Sequence, residues 1–290
     1  MKYIITGSSG QLAKAFIKKF TEVGADFIAP TEQELDITNK EKISNIFSQY
    51  VPDIVINCAA YNNVEFAQQD NTKAVLINKT AVANLIEETK KYNAKFIHFG
   101  TDYVFDGTKN DLYIETDRTN PLNEYGKSKL AGEQEALKYN NSLVCRLSWV
   151  IGEGQQNFLY KLSGWLKNNK TIKVSEDEIS VPCFTFDIVN TIIKSIDKDL
   201  SGLYHLTNSG KCSRYELAKE FVELNKFDNE LIPVPMASFN SKVQRPLQTA
   251  MSNKKISKEL NITIPTWKES LKQYMNSIGS QIIKNCSLKV

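Results

Sequence analysis

No run of apolar residues in this chain approaches the roughly 20 that span a bilayer, so no membrane partner is expected. Paired cysteines are missing as well. Cys58, Cys145, Cys183, Cys212 and Cys286 are odd in number, scattered, and never form Cys-x-x-Cys, which argues against a disulfide frame or a zinc site and for reduced thiols. Histidine is scarce: His98 and His205 each sit inside a short apolar run, Lys95 to Phe99 and Leu203 to Leu206, where packing is the expected role. No single sign of charge dominates. A formal net charge of +3 over 290 residues is too small to imply a polyanion, and no basic cluster alternates with aromatics as in single-strand binders. Nucleic acid is therefore not an expected partner. The opening Met1-Lys2-Tyr3-Ile4-Ile5-Thr6-Gly7 has too short an apolar run for a secretory leader, so a cytoplasmic location is expected.

What is present is an ordinary globular composition, 41% hydrophobic and 24% charged, in a chain long enough for one large domain or two smaller ones. Lys2–Thr6 is a β-branched run ending in glycine, and Gln11–Val23 follows with Leu12, Ala15, Phe16, Phe20 and Val23 at helical spacing. Phe27–Ala29 reads as a second strand. Lys40–Tyr50 reads as a helix opened by a capping-box pattern, Thr38-Asn39-Lys40-Glu41. Val51–Cys58 is a third strand, Ala74–Tyr92 a long helix, Lys95–Phe99 a fourth strand, Tyr125–Tyr139 a helix and Ser142–Ser148 a strand. Such alternation predicts an α/β fold with a doubly wound parallel sheet of the Rossmann type over residues 1–150. Later segments are free to return to that sheet.

Beyond residue 150 the alternation is less regular. Asn157–Asn168 and Thr185–Ile196 look helical, Gly202–Leu206 strand-like, and Ser213-Arg214-Tyr215-Glu216 and Thr266-Trp267-Lys268-Glu269 are capping boxes opening helices. Residues 151–277 are thus expected to form mainly a smaller C-terminal α/β lobe that covers a substrate, and 278–290 a frayed tail.

Two patterns carry chemistry. Gly7-Ser8-Ser9-Gly10-Gln11-Leu12-Ala13 joins a strand to a helix, so glycines let the backbone approach a pyrophosphate while the helix offers free N–H groups and the positive end of its dipole. Its spacing, G-x-x-G-x-x-A, differs from the G-x-G-x-x-G fingerprint. The acid that grips an adenosine ribose is expected at the end of the second strand, yet Ile28-Ala29-Pro30-Thr31 holds neither acid nor base there, with Glu32 and Glu34 close behind. NADPH and NADH both stay open, with a lean to NADPH.

The second pattern is Tyr125-Gly126-Lys127-Ser128-Lys129, twenty-four residues after Thr101. An i,i+4 spacing puts the phenol and the ammonium on one helix face. Free tyrosine, with a pKa of about 10, is a poor proton donor or acceptor at neutral pH. A neighbouring cation lowers that value by roughly 1–3 units, toward the range useful in general acid–base catalysis. In isolation Y-x-x-x-K is weak; here it follows the glycine turn in the expected order.

Further landmarks are Leu35-Asp36-Ile37, Asn57-Cys58-Ala59-Ala60-Tyr61, Thr101-Asp102-Tyr103-Val104-Phe105-Asp106-Gly107, Pro121-Leu122-Asn123-Glu124 before Tyr125, Arg146-Leu147-Ser148-Trp149-Val150, Gly202-Leu203-Tyr204-His205-Leu206 and Arg245-Pro246. With the two patterns above they resemble the extended short-chain dehydrogenase/reductase family, and within it the dTDP-4-dehydrorhamnose reductase group, from Met1 to about Tyr274. Thr-Asp-Tyr-Val-Phe with Ser-Trp-Val is the most specific part. Related sugar-nucleotide 4,6-dehydratases carry Asp-Glu after the threonine, whereas Tyr103 follows Asp102 here. Reduction is favoured over dehydration.

The resemblance implies an NADPH- or NADH-dependent oxidoreductase that reduces the C4 keto group of a nucleoside-diphosphate 4-keto-6-deoxy hexose. By it, Tyr125 protonates the alkoxide, Thr101 bonds the same oxygen, and Lys129 holds the nicotinamide ribose while lowering the Tyr125 pKa. Gly7, Gly10, Gln11 and Leu12 meet the pyrophosphate, Asp36 and Ile37 the adenosine end, and Ala60, Tyr61, Asn62 and Phe99 the rest of the cofactor. Asp102 contacts a substrate hydroxyl, Trp149 packs on the sugar and Arg245 meets the diphosphate. Several positions depart from the family pattern: Gly100 for a serine, Asn62 for a threonine, Gln68 for a glutamate, and Ile179-Ser180-Val181-Pro182-Cys183 without the usual glycine and threonine in a substrate loop. Acids that hold magnesium between subunits in some members are absent, Ala15 standing at one such place, so no metal is expected. A homodimer stays open. Rival classes are an epimerase or another keto-sugar reductase on the same scaffold, and a non-catalytic binding protein like the regulatory subunit of methionine adenosyltransferase.

Overall fold

A computed structural model describes residues 1–279. β1 (Lys2–Thr6) leads through a tight turn to α1 (Gln11–Glu22), β2 (Asp26–Ile28), α2 (Lys40–Tyr50) and β3 (Ile54–Asn57). Short helices α3 (Val64–Gln69) and α4 (Thr72–Val75) precede a π-helical turn at Leu76–Thr80, which runs into α5 (Ala81–Lys91). β4 (Lys95–Thr101), α6 (Glu124–Leu137) and β5 (Ser142–Leu147) complete the first half. Burial along the whole of β3, β4 and β5 is what a parallel sheet covered on both faces requires, and their near-continuous apolar sequences supply it.

The second half contributes β6 (Val150–Ile151), α7 (Phe158–Asn168), β7 (Thr171–Ser175), β8 (Ile179–Ser180), β9 (Cys183–Phe184), α8 (Thr185–Asp197) and β10 (Gly202–His205). β11 (Cys212–Ser213), α9 (Arg214–Asn225), β12 (Glu230–Val234), α10 (Lys254–Leu260) and α11 (Trp267–Tyr274) follow. The main sheet has six strands in the order β10-β5-β4-β3-β1-β2, all parallel. Chain order reverses between β1 and β3, the switch point at which such sheets bind ligands.

Three clusters hold the layers. Ala13, Phe16 and Phe20 of α1 pack with Ile188, Val189 and Ile192 of α8 and Ile256 of α10 on one sheet face. Ile43 and Phe47 of α2 and Ala81, Val82 and Leu85 of α5 cover the other. The C-terminal lobe has its own core, Leu159, Leu162, Phe184, Leu217, Phe221, Trp267 and Leu271. It is strung on the two-stranded pairings β7 with β12, β8 with β11 and β6 with β9. Both capping boxes expected there form, Ser213 with Glu216 and Thr266 with Glu269.

The structure corrects several local expectations. Asn39, not Thr38, caps α2, accepting from the Glu41 and Lys42 amides, because Thr38 instead bonds Asp36. The helix expected from Ala74 starts at Thr72, and its π turn swings Asn78 inward. β10 lies inside the span read as the second lobe yet pairs with β5 at the edge of the main sheet. Of the expected tail, residues 278 and 279 still end a helix; the rest, with Cys286, lies outside the described residues.

α6 approaches the end of β4 closely enough that a methyl on Gly126 would collide with the Tyr103 carbonyl oxygen. Gly126→Ala is therefore expected to cost about 1–3 kcal/mol by overpacking. Urea unfolding measures it, and an unchanged midpoint would show that α6 can retreat.

Candidate functional site

Two cavities open at the carboxyl ends of the strands. The first, of about 1010 Å³, is lined by the turn Gly7-Ser8-Ser9-Gly10, by Glu32, Leu35, Asp36, Ile37 and Thr38, and by Cys58, Ala59 and Ala60 after β3. Gly7 has a φ of +68°, and a Cβ there would lie 2.7 Å from the Ala59 nitrogen. That leaves a bare cradle at the start of α1, the shape and polarity a pyrophosphate needs. The residues present thus fit a dinucleotide.

The second cavity, of about 830 Å³, is lined by Thr101, Asp102, Tyr103, Tyr125 and Trp149 at one end, and by residues of the C-terminal lobe that include Phe158, Lys173, Glu178, Arg214 and Phe239. Asn62, Val64, Gln156, Lys161 and Arg245 line both cavities, so the two meet. Their combined span suits a dinucleotide laid against a second elongated ligand.

Tyr125 and Lys129 stand one turn apart on α6. Lys129 is 4% exposed, and its ammonium donates to the Phe99 carbonyl at 2.7 Å. Burial pulls its pKa down to about 8, the Glu133 carboxylate opposing. Tyr125 moves the other way: burial pushes its phenol up to about 12, with hydrogen bonding to Thr101 lowering it and the Asp102 charge raising it. The expected lowering of this phenol by Lys129 is not what the structure gives. Desolvation dominates, and the ammonium is directed at a carbonyl. The phenol is consequently protonated throughout neutral pH.

Asp102, on the wall of the second cavity, is also held by the protein. It is 2% exposed, and its Oδ2 accepts from Ser180 at 2.8 Å and Thr249 at 2.5 Å, while Oδ1 accepts from Thr101 at 3.2 Å. Both oxygens are engaged by the protein, so Asp102 orients the Thr101 hydroxyl and ties β4 to the second lobe. Burial raises its pKa to about 6 against those bonds.

Beneath Lys129 lies a buried network. Arg146 donates to both Glu133 oxygens, at 2.6 and 2.9 Å, and its Nη1 reaches His205 Nε2 at 3.3 Å. His205 Nδ1 meets the Tyr113 carbonyl at 3.2 Å, and burial followed by the Arg146 charge lowers its pKa to about 3, so it is neutral. Both histidines are packed groups, His98 against Asn57 at 3.1 Å. Gly100 finds its reason here too. A Cβ would lie 3.0 Å from Glu133 Oε2 and 3.1 Å from Arg146 Cγ, so the family's serine would press on this pair and require it to shift by a few tenths of an ångström.

Other expected residues sort by what they do. Gly7, Gly10, Asp36, Ile37, Ala60 and Asn62 line the first cavity; Thr101, Asp102, Tyr125, Trp149, Asn62 and Arg245 line the second. Gln11, Leu12, Tyr61, Phe99 and Lys129 line neither. The Gln11 amide donates to the Val150 carbonyl at 3.0 Å, Leu12 packs against the core, and the Phe99 ring is in that core beside Phe16, its carbonyl alone serving Lys129. Arg245 pairs with Glu65 at 2.9 Å and reaches the Tyr103 hydroxyl at 3.4 Å.

Asn78 and Arg214 were not legible as site residues. Asn78 Oδ1 accepts the Tyr61 amide at 2.8 Å and its Nδ2 donates to Ser128 at 3.0 Å, joining the cofactor-side loop to α6. The signal was faint: a polar residue on the buried side of a helical run. Arg214 Cζ lies 3.5 Å from the Trp149 ring centroid. Trp149 itself has a φ of +38°, a strained conformation for a bulky residue and typical of a ligand wall. Among the described residues no three His, Cys, Asp or Glu side chains gather as a cation site.

A family model described as "RmlD substrate binding domain" matches residues 1–280. The spore coat polysaccharide biosynthesis protein SpsK of Bacillus subtilis is 32% identical over 96% of this chain and 98% of its own. Among solved structures, a dTDP-4-dehydrorhamnose reductase from Clostridium acetobutylicum superimposes with a TM-score of 0.93 at 32% identity, covering 96% of this chain and all of that one. Another from Bacillus anthracis, solved in complex with NADP, gives 0.91 at 31% identity over 95% and 98% of the two chains.

The Asp102 carboxyl yields a test. Its folded pKa, about 6, lies above the ordinary value of 3.8, so between these limits the folded protein holds a proton that the unfolded chain has released. Stability from this group then falls as pH rises through that window. Asp102→Asn is expected to remove this slope, so that the stability difference between variant and wild type changes between pH 4 and pH 7. Parallel unfolding curves across that range would contradict the assignment.

Proposed function

This chain belongs to the RmlD substrate binding domain family, and on that premise we propose that it is an NAD(P)H-dependent oxidoreductase. It reduces the C4 keto group of a nucleoside-diphosphate 4-keto-6-deoxy hexose, with dTDP-4-dehydro-L-rhamnose as substrate and dTDP-L-rhamnose as product. The observation that carries this reading is the junction of the two cavities at Asn62 and Arg245, with Tyr125 and Thr101 on the wall of one and the Gly7–Gly10 cradle in the other. The NADP complex of the Bacillus anthracis reductase supports it.

Gly7, Gly10 and the backbone at Gln11 and Leu12 would hold the pyrophosphate, Asp36 and Ile37 the adenosine end, and Ala60, Tyr61, Asn62 and the Phe99 carbonyl edge the remainder. A bound nicotinamide supplies the hydride. Tyr125, kept protonated by burial, gives its proton to the alkoxide oxygen formed at C4 of the sugar. Thr101, whose single hydroxyl proton rests on Asp102, would swing that proton to the alkoxide oxygen. Lys129 supplies a fixed positive charge beside the ribose. Trp149 packs on the hexose, and Arg245 faces the diphosphate. Residues 1–150, joined by β10 and α8, form the cofactor-binding unit, and most of 151–277 the sugar-nucleotide lobe.

Purified protein is expected to oxidise NADPH or NADH stoichiometrically with dTDP-4-dehydro-L-rhamnose. A panel of dTDP, UDP, GDP and CDP 4-keto sugars with both cofactors identifies the nucleobase, and no turnover with any of them sinks the reductase reading. An epimerase would show no net cofactor consumption. Tyr125→Phe is expected to lose roughly a hundredfold or more in kcat, in line with the 10²–10⁴ contributed by general acid catalysis, while keeping cofactor affinity. Because Lys129 loses its proton as pH rises through about 8 while Tyr125 keeps its own to about 12, kcat/KM should decline above pH 8. A flat profile to pH 10 would remove the Lys129 charge from the mechanism.

A further inference from the structure

Glu178 and Arg214 face each other one step beyond the last registered pair of the β8–β11 ladder, Ile179 with Ser213. The Arg214 amide donates to the Glu178 carbonyl at 3.1 Å, and the guanidinium Nε stands 3.6 Å from Glu178 Oε2. This is an ion pair too long to be a hydrogen bond. Glu178 is 7% exposed, its Oε1 is buried without a hydrogen-bond partner, and both residues line the cavity that contains Tyr125 and Thr101. Arg214 is spread over the Trp149 ring, its Cζ 3.5 Å from the centroid, with Phe158 at 5.1 Å.

The pair is underused for its chemistry. An ionised carboxylate accepts at two oxygens, and a guanidinium presents five N–H donors in a fixed fork; here they share one long contact. A buried acceptor without a donor asks for an explanation, and its position in a ligand cavity supplies one. The torsion that ends in a glutamate carboxylate is broad, so a small rotation turns either oxygen toward the cavity. Stacking on Trp149 meanwhile fixes the guanidinium plane at low entropic cost. The same stretch contains the loop Ile179–Cys183, whose sequence departs from the family pattern.

We propose that Glu178 and Arg214 read the hexose: the Glu178 carboxylate accepts a hydrogen bond from a ring hydroxyl, and the Arg214 guanidinium, held against Trp149, donates to an adjacent sugar oxygen. This rests on the second cavity being the sugar-nucleotide site. It narrows the substrate to hexoses with a free hydroxyl at ring position 2 or 3, since a site built around a hydroxyl leaves its own acceptor unpaired when the hydroxyl is absent.

Binding reads this without turnover. The full chain, saturated with NADP⁺ or NAD⁺, is titrated calorimetrically with a dTDP-6-deoxyhexose and with its 2-deoxy and 3-deoxy counterparts. Wild type is expected to prefer the fully hydroxylated ligand over one deoxy form by about tenfold or more. Glu178→Leu should bring the two within about twofold by weakening only the hydroxylated ligand, and Arg214→Met should narrow the preference several-fold. Equal wild-type affinities, no binding of any of the three, or a variant that weakens all three alike overturns the proposal. Should Glu178→Leu not fold, Glu178→Gln keeps the volume with a neutral acceptor and is expected to reduce the preference to about threefold; an unchanged preference overturns it. Failure of NAD(P)H oxidation with every 4-keto sugar would remove the reductase reading and leave this affinity comparison standing.

Discussion

Lys129 keeps its ammonium buried at the carboxyl edge of β4, donating to the Phe99 carbonyl, and the surroundings are shaped by the cost of a cation held there. Burying a charge is tolerated only with partners and compensating field. The Phe99 carbonyl is one partner; the Glu133 carboxylate, itself clamped by Arg146, supplies the field. Removing one member of such a buried pair typically costs about 3–5 kcal/mol, because the other is left uncompensated. Arg146 in turn reaches His205 behind it, and the bare Gly100 lets the pair sit close under the strand. A single amine thus constrains residues on β4, β5, α6 and β10.

A second constraint joins the lobes. Asp102 stands at the end of β4, yet Ser180 and Thr249, which bond it, belong to the C-terminal half. The Thr101 hydroxyl is therefore oriented by a carboxylate which the second lobe holds in place. Position of the lobe and geometry of Thr101 are coupled through one buried group. The strained Trp149, covered by Arg214, makes the same kind of cross-lobe contact.

Much of the first half was legible because parallel strands buried on both faces have nearly continuous apolar sequences, and helices between them show their period. Lys2–Thr6 and Lys40–Tyr50 match the observed elements residue for residue. Gly7, Thr101, Tyr125 and Lys129 stood out because their chemistry depends on local spacing that a strand–turn–helix or one helical turn fixes. Glu178, Arg214 and Asn78 did not. Each acts through a partner distant in sequence, and a single chain gives no sign of which distant residues will meet.

The sequence by itself determined the alternating elements, the glycine cradle and the phenol one turn from an amine, since these follow from backbone geometry over a few residues. Tertiary structure alone decided the electrostatics: that Tyr125 is raised rather than lowered, that Asp102 serves protein hydroxyls, and that Lys129 answers to Phe99 and Glu133. The reason is physical. A pKa and a hydrogen bond depend on desolvation and on what stands within a few ångströms, and both quantities exist only once the chain has closed around the group.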